Sequence, residues 1–369
     1  MLLGSDNTTP VPYQPGTSLQ LQVLGSGCTP PLPRSVSAVI NKTYSFTMSS
    51  VMDVSIHTLS GTSMHAVLKL YDRRFGTGLR RINGQYAPHT AADEEAFQSF
   101  MRQPESAVFL RSFEEEKRTA LIPPAASDLH DGTPEGTAQY EAALWQECCE
   151  YFDCETEAYE RLRALQGTSV PRMYAHVCLA PPSADTAPPD PIQSPQTTHY
   201  LEVRGILLEP VPGSAMWDWA ISPLSSFDPV MWQAVVQFAV DAAHEINRRG
   251  IIMRDCGPRN VVVDERSQKP FIIDLAQCYF KEKLIAACET IRDEDASDQE
   301  DQVDGEDGDD EEWDLEAEYW ERVRSSDNPG AIGSVMVTIL LKEKGLTLDI
   351  TYPGREHEIL MLSTATRPT

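Results

Sequence analysis

No stretch of this 369-residue chain approaches the roughly 18 consecutive apolar residues that a membrane-spanning helix needs. The opening MLLGSDNTTP has neither the basic region nor the apolar core of a secretory signal, so a cytoplasmic or nuclear location, not a secreted one, is the expectation. Eight cysteines are present without metal spacing: Cys148, Cys149 and Cys154 have no zinc-type pairing and no downstream His at finger distance. They read as reduced, packed thiols. Basic residues are few, 30 Lys and Arg against 56 Asp and Glu, which argues against a nucleic-acid partner. Glycine is scarce among the early apolar runs. Only Gly61 lies in the turn between VMDVSIHTL and MHAVLKL, and Gly25 and Gly27 run straight into a Pro-rich stretch.

The net charge of −26 is local. Sixteen acidic residues and no Lys or Arg lie between Asp293 and Glu318, and outside that stretch the balance is about −10. Such a run repels itself and offers too little apolar surface to offset the entropy of ordering, so a disordered loop is expected over 290–312. Its functional alternative is a tether for basic partners. Pro181 to Pro195 is a Pro-rich excursion, and 77–144 and 181–197 read as surface insertions.

What the chain does carry is concentrated in IIMRDCGPRNVVVDERSQKPFIIDLA, residues 251–276. Val261 to Val263 and Phe271 to Ile273 are short β-branched or aromatic runs around a polar turn, which predicts a buried hairpin. That hairpin delivers Asn260 to the start of one strand and Asp274 to the end of the other. Two hard oxygen ligands so placed can share one Mg²⁺ with phosphate oxygens. Asp255 precedes them in a loop, five positions before Asn260.

This pattern resembles the protein-kinase-like superfamily. The catalytic-loop pattern appears as Met253, Arg254, Asp255 and Asn260, and the Asp-Phe-Gly pattern as Asp274, Leu275 and Ala276. Met253 stands where the family has His, and Ala276 where it has Gly. Upstream, HAVLKLYD resembles the third strand of the small lobe, with Lys69 as its phosphate-binding lysine. The amphipathic stretch Glu155 to Leu165 supplies Glu157 as the expected ion-pair partner of Lys69, with Glu155 two positions earlier. The segment ILLEPVPG resembles the hinge that lends backbone groups to adenine, at Leu208, Glu209 and Val211. The hairpin Val51–Leu59 with Met64–Tyr71, turning at Ser60 to Ser63, is the expected nucleotide roof. No Ala-Pro-Glu motif follows Asp274. From LKLYDRR to DNPGAIG the chain resembles the uncharacterised fungal protein-kinase-like proteins.

The resemblance implies an α+β, bilobal protein-kinase-like fold, with a small antiparallel-sheet N-lobe and a mainly helical C-lobe. Residues 1–43 are then a partly disordered extension, 44–209 the N-lobe and 210–369 the C-lobe. It implies transfer of the γ-phosphoryl of ATP to a hydroxyl acceptor, protein or small molecule. Lys69, oriented by Glu157, would hold the α and β phosphates, Asn260 and Asp274 would hold Mg²⁺, and Asp255 with Arg254 would form the catalytic loop. Two rival readings stand beside it. One is a pseudokinase scaffold that keeps the fold without transfer; the other is a small-molecule kinase similar to choline or aminoglycoside phosphotransferases.

Overall fold

Strict alternation in SVMDVSIH buries Ser50, Met52, Val54 and Ile56 and leaves Val51, Asp53 and Ser55 half-buried between them. The same period of two recurs along the neighbouring strands, and it closes them into a barrel. In the computed structural model of the protein, residues 7–57, 63–120, 122–179, 199–225, 228–287 and 314–353 are described. The chain divides into two units, Met1–Thr156 with Arg172–Pro210, and Glu157–Pro171 with Val211–Thr369.

The barrel belongs to the first unit. Strands β1 (Ser18–Ser26), β2 (Ser35–Phe46), β3 (Ser50–His57) and β4 (Ser63–Leu70) run as an antiparallel meander. A short β5 (Arg81–Ile82) and β6 (Gln85–Tyr86) form a separate hairpin, and β7 (Met173–Leu179) and β8 (Val203–Leu208) complete the ring in the order β1-β2-β3-β4-β8-β7. Leu21, Ile40, Met52, Val54, Leu68, Leu70, Val177 and Leu207 fill the interior and are fully buried. β8 can lie beside β4 because residue 205 is glycine: a Cβ there would stand 2.5 Å from the Lys69 carbonyl oxygen.

Two expectations are corrected here. The extension expected over 1–43 supplies β1 and most of β2, and its Tyr13 is fully buried beneath the barrel, edge-on to Phe75. The insertion 77–144 is largely helical: α1 (Ala91–Met101), α2 (Pro104–Thr119) and the first part of α3 (Pro134–Arg161). Pro104 separates the first two, because it fits the opening turn of a helix and not its interior. What holds these helices is partly ionic, which a search for apolar spacing passes over. Glu141, with no exposed surface, accepts from Arg80 at 2.6 and 3.0 Å and also from Arg73, whose guanidinium lies 3.8 Å from the Phe97 ring centre.

In the second unit, α5 (Pro229–Arg248) packs on α7 (Asn328–Lys344), with α4 (Met216–Ile221) and α6 (Leu315–Ser326) beside them. β9 (Gly213–Ala215), β11 (Val261–Asp264) and β12 (Pro270–Ile272) form one small sheet, and β10 (Ile251–Met253) pairs with β13 (Cys278–Phe280). A Cβ at Gly213 would overlap the Val263 carbonyl, so glycine allows β9 to approach β11. Asp327, in the left-handed region at φ 41°, ends α6 and caps α7 through the Gly330 N–H. Of the acidic stretch only 314–318 is described; the remainder, like the Pro-rich excursion at 181–197, falls outside the described residues. Among the described residues no helix is long and apolar enough to cross a membrane.

Candidate functional site

In the first unit, Lys69 lies on the outer face of the barrel, since Leu68 and Leu70 point inward. Its register neighbours are Val51 on β3 and Ile206 on β8. The side chain is 7% exposed, and its Nζ stands 2.8 Å from Oε2 of Glu155, which has no exposure at all. The Tyr71 hydroxyl donates to the same carboxylate, and the Lys69 ammonium lies 5.6 Å from the Tyr71 ring centre. The expected partner was Glu157. Two residues along a helix turn a side chain through about 200°, more than half a turn, so Glu155 and Glu157 cannot share a face. Glu157 instead binds Arg161 at 2.8 Å and Lys283 at 2.6 Å, all in the second unit.

The turn of the hairpin expected as a roof lies at the other end of β4. The Ser63 end of β4 pairs with His57, at the far end from Lys69, and 58–62 are outside the described residues. It is the turn at 47–49, between β2 and β3, that lies at the Lys69 end, because Phe46 pairs with Ser50 and Val51 with Lys69. This turn is pinned: Thr77 N–H donates to the Phe46 carbonyl at 2.6 Å and Gly78 N–H to that of Thr47 at 2.9 Å. The signal for it was the glycine pair at 76 and 78, where a Cβ on Gly78 would come 3.1 Å from the Met48 sulfur.

Leu208 ends β8 opposite Val67, outside the barrel. Glu209 ties the end of β8 to the start of β7. Its N–H donates to the Arg172 carbonyl at 2.8 Å, and its carboxylate accepts from the Arg172 backbone N–H at 3.0 Å and guanidinium at 2.6 Å. Val211, half-buried between two prolines, opens the main segment of the second unit.

In the second unit, β10 ends at Met253 and the chain turns through Asp255 and a single 3₁₀ turn, Pro258–Asn260, into β11. Asn260 Nδ2 donates to both the backbone carbonyl (2.8 Å) and Oδ2 (3.1 Å) of Asp255. Ile273 N–H donates to the Asn260 carbonyl at 2.8 Å, which sets Asp274 next along the chain from that bond. Asp274 is exposed and left-handed at φ 63°, a conformation of the kind that collects at functional sites. Leu275 and Ala276 behind it are buried. Arg254 places its guanidinium 5.1 Å from the Tyr279 ring centre and its N–H on the Gln277 carbonyl at 2.9 Å. Met253 is buried and contributes packing. Among the described residues no group of three or more His, Cys, Asp or Glu could hold a metal ion. Asn260 and Asp274 are nonetheless hard oxygen donors of the type Mg²⁺ takes when substrate phosphates and water complete its shell. What sequence reading missed is Asn328, whose side chain donates to the Met253 carbonyl at 2.7 Å and accepts from its N–H at 3.0 Å.

No protein-family model matches the chain. No curated protein matches it either. Among solved structures it is similar to the kinase domain of PknI from Mycobacterium tuberculosis, with 13% identity over 65% of this chain and 58% of that one and a TM-score of 0.29. A double mutant of the same domain gives 12% identity, 65% and 60% coverage and again 0.29. The chain thus spans about 60% of the length of the domains it matches.

Proposed function

We propose that this protein is an ATP- and Mg²⁺-dependent phosphotransferase of protein-kinase-like type, two-lobed in its working form, acting on a hydroxyl of a protein or small molecule. The observation that carries the reading is the Lys69–Glu155 pair. A buried ion pair adds little net stability once desolvation is counted, so a barrel has no mechanical need for one on its outer face. An oriented ammonium beside apolar neighbours is suited to holding phosphate oxygens. In this reading Lys69 binds the α and β phosphates. Glu209 and Val211 offer a carbonyl and an N–H to the adenine edge, with Leu208 against the ring. Asn260 and Asp274 would hold Mg²⁺, which neutralises charge building on the transferred group when bound. Asp255, oriented by Asn260, accepts the hydrogen bond of the acceptor hydroxyl and aligns it for attack. The likeness of the motifs to fungal protein-kinase-like proteins and a cytoplasmic or nuclear setting belong to this proposal, as does a basic partner for the acidic stretch.

The second reading is a pseudokinase, a binding or scaffold protein without transfer. It is favoured by Met253, by Ala276 and by the pinned turn at 47–49, which replaces a glycine-rich flap. Thermal unfolding with and without Mg-ATP separates the two. A ligand at about 100 times its Kd adds roughly 2.7 kcal/mol. Wild type is expected to show that Mg²⁺-dependent rise, Asp274→Asn to lose most of it, and Asp255→Ala to keep it while losing transfer. Absence of any shift in wild type makes the scaffold reading the better one.

A further inference from the structure

The helical insertion also frames a pocket. It lies within the first unit, between the chain leaving β4, helices α1 and α3 and the segment that enters β8, and it holds about 230 Å³. A benzene ring sits in a cavity of roughly 150 Å³. The walls are largely aromatic. Trp145 on α3 and Tyr200 before β8 meet edge to face, with ring centres 5.0 Å apart, and both rest on the cluster that holds Phe97 and Ala142. Tyr71 adds a third ring, its hydroxyl already given to Glu155.

The polar groups of the pocket are spent unevenly. Among the acceptors, Asp72 takes the Tyr13 hydroxyl at 2.5 Å, Arg74 Nε at 2.9 Å and Arg74 Nη2 at 2.7 Å. Glu94 takes Arg73 at 2.5 Å and Gln98 at 2.8 Å, and Glu202 meets His199 at 3.3 Å. Among the donors, the Trp145 indole N–H, the Tyr200 hydroxyl and Arg74 Nη1 have no hydrogen-bond partner among the described residues. Indole and guanidinium nitrogens can only donate. With acceptors used and donors left over, the pocket is complementary to a ligand that brings its own acceptor oxygens, and its rings suit a flat apolar body.

We propose that this pocket binds a small planar aromatic carboxylate, its ring against Trp145 and Tyr200 and its carboxylate on the open edge of Arg74. Asp72 fixes the plane of that guanidinium through Nε and Nη2, so Nη1 is held in a set direction. The charge persists at any working pH. The site lies wholly in the first unit, and its test does not rest on the phosphotransfer reading.

The test is calorimetric titration of the full chain with indole-3-carboxylate, indole and tryptamine, which share a ring and differ in charge. The carboxylate is expected to bind once per chain with a Kd below about 1 mM, at least about tenfold tighter than either of the others. Indole binding as tightly as its carboxylate, tryptamine binding best, or no binding of the carboxylate overturns the proposal. Tyr200→Ala removes one wall at a half-buried position. It is expected to weaken the carboxylate at least about fivefold with Tm held within a few degrees; unchanged affinity places the ligand elsewhere and overturns the site. Arg74→Gln would also loosen the buried Asp72, so the donors are tested by Trp145→Phe, which keeps a ring and loses the N–H. A loss of about threefold to tenfold for the carboxylate supports the assignment, and no loss overturns it. Glu202→Gln removes a like charge from the wall and is expected to tighten the carboxylate about twofold to threefold. Weaker binding by that variant would make Glu202 the ligand's partner and overturn the proposal in favour of a cation.

Discussion

Helix α3 carries two fully buried glutamates that meet different fates. Glu141 is held by two guanidiniums, whose planar forks fix direction as well as charge. Glu155 is held by an ammonium and a phenol. An arginine fork commits its donors to one geometry; a lysine is a compact charge on a flexible stem and can be redirected. The first pair behaves as a fastening for α1 and α3. The second keeps a cation oriented on the outer face of the barrel, the cation to which the proposed function gives the phosphates. Equal burial therefore does not mean equal purpose, and the donor type separates the two.

The comparison can be broken at several points. Glu141→Ala should cost most, about 3–5 kcal/mol in denaturant unfolding, because it takes the buried carboxylate from two guanidiniums and leaves Arg80 with Asp93 at 3.7 Å and Arg73 with Glu94; a loss below about 1 kcal/mol would show that the cluster is not the fastening. Glu155→Gln should cost less, roughly 1–3 kcal/mol, while removing most of the Mg-ATP shift. Its neighbour Glu157→Gln, one-quarter exposed in its salt bridges, should change stability by less than about 0.5 kcal/mol and leave the shift intact. If those two variants behaved alike, the assignment of Glu155 would be lost.

Glu147, between the two buried glutamates on α3, sharpens the picture through pH. Burial, opposed by Lys117 and reinforced by the charge of Glu150, pushes its carboxyl from 4.5 up to about 7. A folded-state pKa above the unfolded one means the folded chain holds the proton more tightly. Its contribution is complete below about pH 4.5 and is lost as pH rises through about 7. Glu147→Gln should consequently match wild type at acid pH and exceed it by roughly 1–3 kcal/mol at about pH 8. A variant no more stable than wild type at the higher pH would refute the shift.

Much of this was readable from sequence where period and spacing carry the signal. The β11–β12 hairpin and β4 with its lysine follow from alternation and flanking polar residues. The Lys69 partner did not, because two glutamates on one helix differ only in phase, and phase depends on packing that single-sequence reasoning lacks. β1 was missed since its SLQLQV alternation is short and bounded by glycines. Asn328 escaped because a buried amide has no spacing rule; only the fold brings residue 328 to residue 253.

Barrel closure has a consequence in time. β1 bonds to β2 on one side and to β7 on the other, with Leu21 opposite both Val36 and Leu179. During synthesis, β1 has only half its partners until some 150 further residues have been made. Until then two strand edges lie open to any passing chain. The nascent protein is accordingly most vulnerable to misassembly before residues 251–276 have been translated at all.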